Sequence, residues 1–323
     1  MTNFLIFLIV VLGIIAVAQV VRIFELSSSM KDEGYKNPSD KENRVQGQLS
    51  LAFMIFFILG CFYITIRYWD VLLPKSASDH GNDIDLLWNW SMGIIIAVFL
   101  LTQPILFYFA YKYRGRKEGK AVHFAHSNKL ELIWTIVPAV VLAGLILYGI
   151  KTWSKVMNGD TEGALVVEVY SRQFDWTFRY AGEDNTLGYA HPSMIEGANI
   201  LGVDMKDEFS SDDIVTTELH LPKDRPVILK FRSQDVIHSA YLPHFRVQMN
   251  TVPGMVTQFA FTPTVSTEEM REETGNPEFQ YVLLCNKICG TAHYNMQRDV
   301  IVESDQDFES WMKEQSKLAE AEF

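Results

Sequence analysis

The sequence predicts an α-helical membrane part of about four helices, followed by an all-β domain. Four apolar runs each approach the ~20 residues that a helix needs to cross a bilayer. They are Phe4 to Val21, Leu49 to Tyr68, Met92 to Tyr111 and Leu132 to Ile150. No such run follows Trp153, where short segments of alternating polarity begin. With 323 residues, 48% of them hydrophobic, the chain is long enough for both parts.

We divide the chain into three parts. Residues 1–73 contain two membrane runs and a polar connector over residues 26–47, residues 74–153 contain a pair of membrane helices, and residues 154–323 form the folded domain. Ala16-Val17-Ala18 in the first run resembles a signal-peptide cleavage site. Because the run lacks a positively charged segment before it, we expect it to be retained as a helix.

The charges of the loops predict their side of the membrane. The loop between the second and third runs carries Lys75 against four aspartates. The loops after the first and third runs are basic, with Lys31, Lys36, Lys41 and Arg44 in one and Lys112, Arg114, Arg116, Lys117, Lys120 and Lys129 in the other. The positive-inside rule places these two loops in the cytoplasm, so the folded domain is expected outside it.

The folded domain is predicted to be a β sandwich or barrel with one terminal helix. The predicted strands are Gly163 to Tyr170, Phe174 to Tyr180, Val227 to Phe231, Thr257 to Thr262 and Gln280 to Leu284. Residues 181–213 are polar and glycine-rich, which indicates a long excursion from the sheets. An apolar stripe of Phe308, Trp311 and Met312 predicts an amphipathic helix over residues 305–320.

The folded domain is strongly acidic. From Lys151 onward the chain carries 15 Lys and Arg against 28 Asp and Glu, a net charge of −13. A domain of this charge attracts cationic partners and repels nucleic acid, so we expect no nucleic-acid partner.

Four soft ligands lie within twelve residues near the end of the chain. They are Cys285, Cys289, His293 and Met296. Thiolate and thioether sulfur favour copper, and a methionine ligand argues against zinc. On these residues alone, a disulfide between the cysteines or a zinc site completed by a distant histidine remains open. No Cys-x-x-Cys-His is present, so no c-type heme is expected in this chain.

One histidine upstream can complete such a site. His238 is expected at the end of an apolar strand, within Ser233-Gln-Asp-Val-Ile-His238. A lone histidine there is more often structural. Together with the late cluster in a β domain, it fits a copper site of the cupredoxin type. Cys61, by contrast, lies in an apolar run and is expected to be a packed, unreactive thiol.

The sequence resembles subunit II of the cytochrome c oxidases over roughly residues 87–315. The resemblance is carried by the stretches ELIWTIVPA, SRQFDWTFRY, SQDVIHSAYLP, VPGM and CNKICGTAHYNM. It implies a cupredoxin-like domain with a dinuclear copper centre, CuA. Residues 1–73 lie outside the usual two-helix pattern of the family.

The resemblance implies a role for each ligand. Cys285 and Cys289 are the bridging thiolates, and His238 and His293 are the terminal imidazoles. The weak ligands are Met296 at one copper and the backbone carbonyl of Lys287 at the other.

The resemblance also implies partners. The centre takes single electrons from cytochrome c, or from a cytochrome domain of a partner complex, and passes them to heme in subunit I. Subunit I reduces oxygen to water, coupled to proton pumping, and subunit III is a further partner. The complex is expected in a bacterial inner membrane. Glu131 matches the family's carboxylate near the start of a proton path, although a carboxylate favoured by the helix N-terminus is the alternative.

Two residues depart from the family pattern. Lys287 stands where the family usually has a glutamate that helps to hold magnesium, so we expect its ammonium to replace the ion or the magnesium site to be lost. Phe174 stands where the family has a tryptophan that receives electrons, whereas Trp176 matches the family's next tryptophan. We therefore expect Phe174 and Trp176 near the point of electron arrival and a donor that docks differently.

Overall fold

The structure, a computed structural model, describes residues 2–33, 38–117, 119–120, 122–123, 125–159 and 161–320. Its first half contains four long helices. They are α1 (Thr2–Glu33), α2 (Asp40–Arg67), α3 (Gly81–Lys112) and α4 (Asn128–Met157). Each contains a stretch long and apolar enough to cross a membrane, which confirms the predicted membrane part.

The polar connector is shorter than the predicted residues 26–47. Helix α1 continues to Glu33, and α2 already begins at Asp40. The early start of α2 has a local cause: Ser39 and Glu42 exchange hydrogen bonds in a capping box, with Ser39 N donating to Glu42 at 2.7 Å. Residues 34–37 of the predicted connector, and with them Lys36, lie outside the described residues.

Ten strands follow in two five-stranded sheets. The strands are β1 (Leu165–Arg172), β2 (Asp175–Tyr180), β3 (Ile214–Thr216), β4 (Leu219–Pro222), β5 (Val227–Ser233), β6 (His238–Leu242), β7 (Val247–Thr251), β8 (Thr257–Phe261), β9 (Tyr281–Cys285) and β10 (Gln297–Glu303). One sheet has the order β3-β2-β1-β5-β8, and the other has the order β4-β10-β9-β6-β7. Their buried side chains, such as Trp176 and Leu283, form a common core, which confirms the predicted all-β sandwich.

The five predicted strands agree with β1, β2, β5, β8 and β9 to within two residues at each end. The prediction missed the other five strands and helix α5 (Thr267–Thr274). Two further details were wrong. His238 begins β6 instead of ending a strand, because the residues before it form a turn. The terminal helix α6 (Asp305–Glu314) stops before residue 320, since Lys317 forms a β-bridge with Ile214 instead.

The start of α3 is attached to the β domain. Ala77 N donates to the His244 carbonyl at 2.7 Å, and Thr264 N donates back to the Ala77 carbonyl at 2.9 Å. Arg246 binds both carboxylate oxygens of Asp85, at 2.7 and 2.9 Å. Such a bidentate pair fixes orientation as well as distance. These contacts therefore hold the β domain against the N-terminal end of α3.

A buried ion network links the glycine-rich excursion to the first sheet. Arg179 donates to Glu168 at 2.9 Å and to Asp213 at 2.8 Å, and all three are buried. Burial opposes the charge on Glu168, but Arg179 and Arg232 outweigh it and hold the pKa of Glu168 below its usual value. Burial raises the pKa of Asp213 to about 6, because Arg179 offsets it only in part.

Replacement of Arg179 should therefore lower the stability of the folded domain substantially. We expect Arg179→Met to lower the free energy of unfolding by about 3–5 kcal/mol, because it leaves buried Asp213 without its cationic partner and buried Glu168 with Arg232 alone. The control is Arg225→Met, which removes a surface arginine that pairs with exposed Asp305 and Glu309 and should cost less than about 1 kcal/mol. Denaturant unfolding of the full chain in detergent measures both. Equal small losses would show that the network adds no stability.

Candidate metal centre

The two cysteines of the predicted site lie at and just beyond the end of β9, the central strand of the second sheet. Cys285 ends β9, and Cys289 lies in the loop between β9 and β10. Cys285 N donates to the Met296 carbonyl at 3.0 Å, and Asn286 N donates to the Ser239 carbonyl at 2.9 Å. These bonds fix both ends of the loop. The loop therefore returns Met296 to the side of Cys285.

The predicted soft ligands come together. The two thiol sulfurs are buried and lie 3.9 Å apart. His238 Nδ1 lies 3.9 Å from Cys285 Sγ, and His293 Nδ1 lies 3.6 Å from Cys289 Sγ. Met296 Sδ lies 3.7 Å from Cys289 Sγ. Each thiol is therefore next to a different imidazole.

These separations fit a metal centre. Ligands that bind one metal tetrahedrally at about 2.0–2.3 Å are themselves separated by roughly 3.3–3.8 Å. The sulfur and nitrogen atoms of His238, Cys285 and Cys289 all lie within 4.8 Å of one another. The cysteines are free thiols. A disulfide needs sulfurs about 2.05 Å apart, so the disulfide alternative is not what the structure shows.

Burial favours the protonated form of the metal-free Cys289 thiol. The pKa of Cys289 is raised to about 11, first by burial and then by the adjacent Cys285. A metal that binds here must therefore displace protons, since the thiolate is the ligand.

Lys287 presents its backbone to the site. Its carbonyl oxygen lies 3.2 Å from Cys285 Sγ, whereas the residue as a whole is exposed. A carbonyl oxygen is available whatever the side chain is. A lysine side chain at this position therefore leaves the carbonyl oxygen beside the Cys285 thiol.

Asp235 holds His238 from the side away from the thiols. Its Oδ1 lies 2.9 Å from His238 Nε2, which leaves Nδ1 directed towards Cys285. Burial raises the pKa of Asp235, but the contact with His238 and two backbone N–H donors outweigh burial, so the pKa is lowered overall. An ionised carboxylate on the outer nitrogen is a common way to fix the orientation of a ligating histidine.

Trp176 is part of the wall of the site and is fully buried. Its ring meets the His238 ring edge to face, with centroids 6.1 Å apart, and its Nε1–H points to the Met296 carbonyl at 3.5 Å. Phe174 is half-buried and lies against Gly290, the residue after Cys289. Of the two aromatic residues predicted at the point of electron arrival, Phe174 is the more accessible.

Glu131 is far from this cluster. It lies in the first turn of α4, and its carboxylate is 3.4 Å from Ser127 N. Helix α4 leads into the β domain from its other end, at Met157. At 1.5 Å per residue, roughly 39 Å of helix separate Glu131 from Met157, the end of α4 that adjoins the β domain. The structure therefore does not bring Glu131 to the metal site.

Three residues near the ligands were not predicted as site residues. Asp235 lies three positions before His238, so the sequence shows that the two residues are close, but no role was predicted for Asp235. Gly290 and Gln173 gave no signal. Gln173 contacts the Cys289 loop across a sequence separation of 116 residues, and nothing local in the sequence indicates that contact.

Two family models match this chain. The one described as cytochrome C oxidase subunit II, transmembrane domain, matches residues 66–152. The one described as cytochrome C oxidase subunit II, periplasmic domain, matches residues 165–305. Residues 1–65 lie outside both matches.

Individual relatives agree with these matches. The alternative cytochrome c oxidase subunit 2 of Bradyrhizobium diazoefficiens is 33% identical over 228 residues, which cover 69% of this chain and 78% of the relative. Cytochrome c oxidase subunit 2 of Synechocystis is 24% identical over 282 residues, covering 80% and 81%. The solved periplasmic domain of subunit II of cytochrome oxidase from Bradyrhizobium japonicum is similar with 22% identity and a TM-score of 0.31, over 46% of this chain and 91% of that one. The two family matches and the 33% identity to the Bradyrhizobium diazoefficiens relative show that the chain belongs to the cytochrome c oxidase subunit II family, as a membrane-anchored member with a periplasmic β domain.

Proposed function

We propose that this chain is the electron-accepting subunit of a terminal oxidase and that its β domain holds a dinuclear CuA centre. His238, Cys285, Cys289, His293, Met296 and the Lys287 carbonyl would hold the two copper ions. The observation that carries the proposal is the pair of thiols 3.9 Å apart, each beside its own imidazole. A single metal ion would be better served by one histidine that both thiols share. Here each thiol has its own imidazole, which favours two metal ions.

The surrounding residues favour electron transfer over chemistry on a substrate. Bound copper would supply single-electron acceptance and donation. The two thiols are buried, and Asp235 restrains His238. The fully buried Trp176 packs behind them. Fixed ligands need little rearrangement when the charge of the centre changes, and low rearrangement favours fast transfer.

We place the complex in a bacterial inner membrane, with subunits I and III as partners. Electrons from a cytochrome c, or from a cytochrome domain of a partner complex, would pass through this chain to heme in subunit I. There oxygen is reduced to water with proton pumping. The net charge of −13 in the region from Lys151 onward supports a cationic donor. Glu131, exposed at the start of α4, would take up protons at the cytoplasmic edge.

We expect the cysteine that contacts most other ligands to be indispensable. Cys289→Ser should remove the visible thiolate-to-copper absorption of the full chain in detergent and lower its bound copper. Turnover of the assembled oxidase should fall by at least ~100-fold. Loss of a metal ligand should cost at least as much as the largest losses caused by changing a residue that only supports a ligand. Cys61→Ser is the matched control, because it removes the cysteine in α2 and should change neither reading. Retention of the absorption in Cys289→Ser would refute the ligand set.

The replacement of the family's glutamate by Lys287 should separate copper binding from magnesium binding. We expect Lys287→Ala to retain copper, because the ligand is the backbone carbonyl, and we expect the unmodified oxidase to bind no magnesium near this residue. Lys287→Glu should restore binding of manganese, which reports the magnesium site by electron paramagnetic resonance. Stoichiometric manganese at this position in the unmodified complex would contradict the proposal.

Phe174 should contribute little to electron transfer from a soluble cytochrome c. Phe174→Leu keeps an apolar side chain against Gly290 but removes the ring. We expect it to change kcat/KM for a soluble cytochrome c by less than about threefold, since we expect the donor to dock differently from that of relatives with the tryptophan. Steady-state oxidation by the assembled oxidase measures this. A fall of about tenfold or more would assign Phe174 the family's tryptophan role.

A further inference from the structure

The turn between β1 and β2 contacts both segments that carry the ligands. Gln173 lies in this turn, next to Phe174, and the peptide bond between them is cis. The side-chain amide of Gln173 donates a hydrogen bond to the Cys289 carbonyl. Its backbone N–H donates to Asp235 Oδ2 at 2.7 Å. Asp235 in turn holds His238.

We propose that Gln173 is a positioning residue of the metal centre, which acts by holding the peptide of Cys289 in place. Cys289 Sγ lies within 3.9 Å of Cys285, His293 and Met296, so a movement of its peptide disturbs three neighbouring ligands at once. The inference rests on the proposed function, because it deepens the account of the same site.

Close packing beside this bond supports the role. A Cβ atom on Gly290 would lie 2.7 Å from the Phe174 ring and 2.9 Å from Gln173 Nε2, closer than real contacts allow. The φ of Gly290 is +150°. Only glycine therefore lets the loop approach the turn so closely. The amide of Gln173 and the backbone of the Cys289 loop are in direct contact, with no room for a side chain at residue 290.

In the part of the chain that the structure describes, no other hydrogen bond to a different segment holds the Cys289 peptide, and the contact from Trp176 Nε1 reaches the Met296 carbonyl at the end of the loop. His293 N donates to the Gly290 carbonyl at 3.3 Å, within the loop itself. The bond from Gln173 instead connects the loop to the other sheet, in which β1 and β2 lie. Loss of the donor therefore frees the Cys289 peptide relative to the sheet that carries Trp176.

Three variants of the full chain in detergent separate donation from packing. Gln173→Met keeps the length of the side chain but removes the donor, whereas Gln173→Lys keeps a donor. Gln234→Met is the matched control, since Gln234 is exposed and its side chain makes no hydrogen bond in the part of the chain that the structure describes. The first readout is the rate of maleimide labelling of Cys289 in metal-free protein, located by mass spectrometry. The second is the absorption spectrum after copper loading.

We expect Gln173→Met to label Cys289 about two- to tenfold faster, which corresponds to the loss of one hydrogen bond. Its copper absorption should shift, while Gln173→Lys and Gln234→Met resemble the unmodified chain in both readouts. An unchanged labelling rate in Gln173→Met would overturn the inference. So would equal effects of methionine and lysine, which would reveal a role in packing alone. If the unmodified chain binds no copper, the proposed function fails, but the labelling of metal-free protein still decides the role of Gln173.

Discussion

The pairing of β6 with β9 determines where the soft ligands meet. In this pairing Ala240 lies opposite Cys285, and side chains directly opposite each other project to the same face of the sheet. His238 lies two residues before Ala240 and therefore shares that face. A slip of one residue would turn the imidazole away from the thiol. The site consequently depends on the register of two strands that are more than forty residues apart in the chain.

Burial makes this arrangement selective. The thiols and His238 are all buried, and the metal-free Cys289 is protonated at neutral pH. A metal ion must bind sulfur strongly enough to displace the proton of Cys289. This favours a metal that prefers thiolate ligands over a cation that prefers oxygen ligands. The ion network of Arg179 supports the sheet that carries Trp176, and thus connects the stability of the domain to the wall of the site.

The sequence contains different amounts of information about different parts of this molecule. The four membrane helices follow from composition alone, and Cys285, Cys289, His293 and Met296 lie within one short stretch, so the helices and the proximity of these four side chains were predictable. Short strands such as β4 were missed because few residues define their period. The contact of Gln173 with Cys289 could not be predicted, because it depends on how the two sheets stack and not on a local pattern. His238 lies beside Cys285, where a ligand was predicted, but it begins its strand instead of ending it, because the residues before it form a turn.

In the proposed centre, two thiols and two imidazoles would hold a pair of copper ions that share one unpaired electron. Metal analysis of the copper-loaded full chain, combined with electron paramagnetic resonance and spin counting, tests this claim most directly. We expect two copper ions per chain, one unpaired electron for the pair, and hyperfine splitting from two equivalent nuclei. A single copper ion with one electron of its own, or zinc in its place, would contradict it.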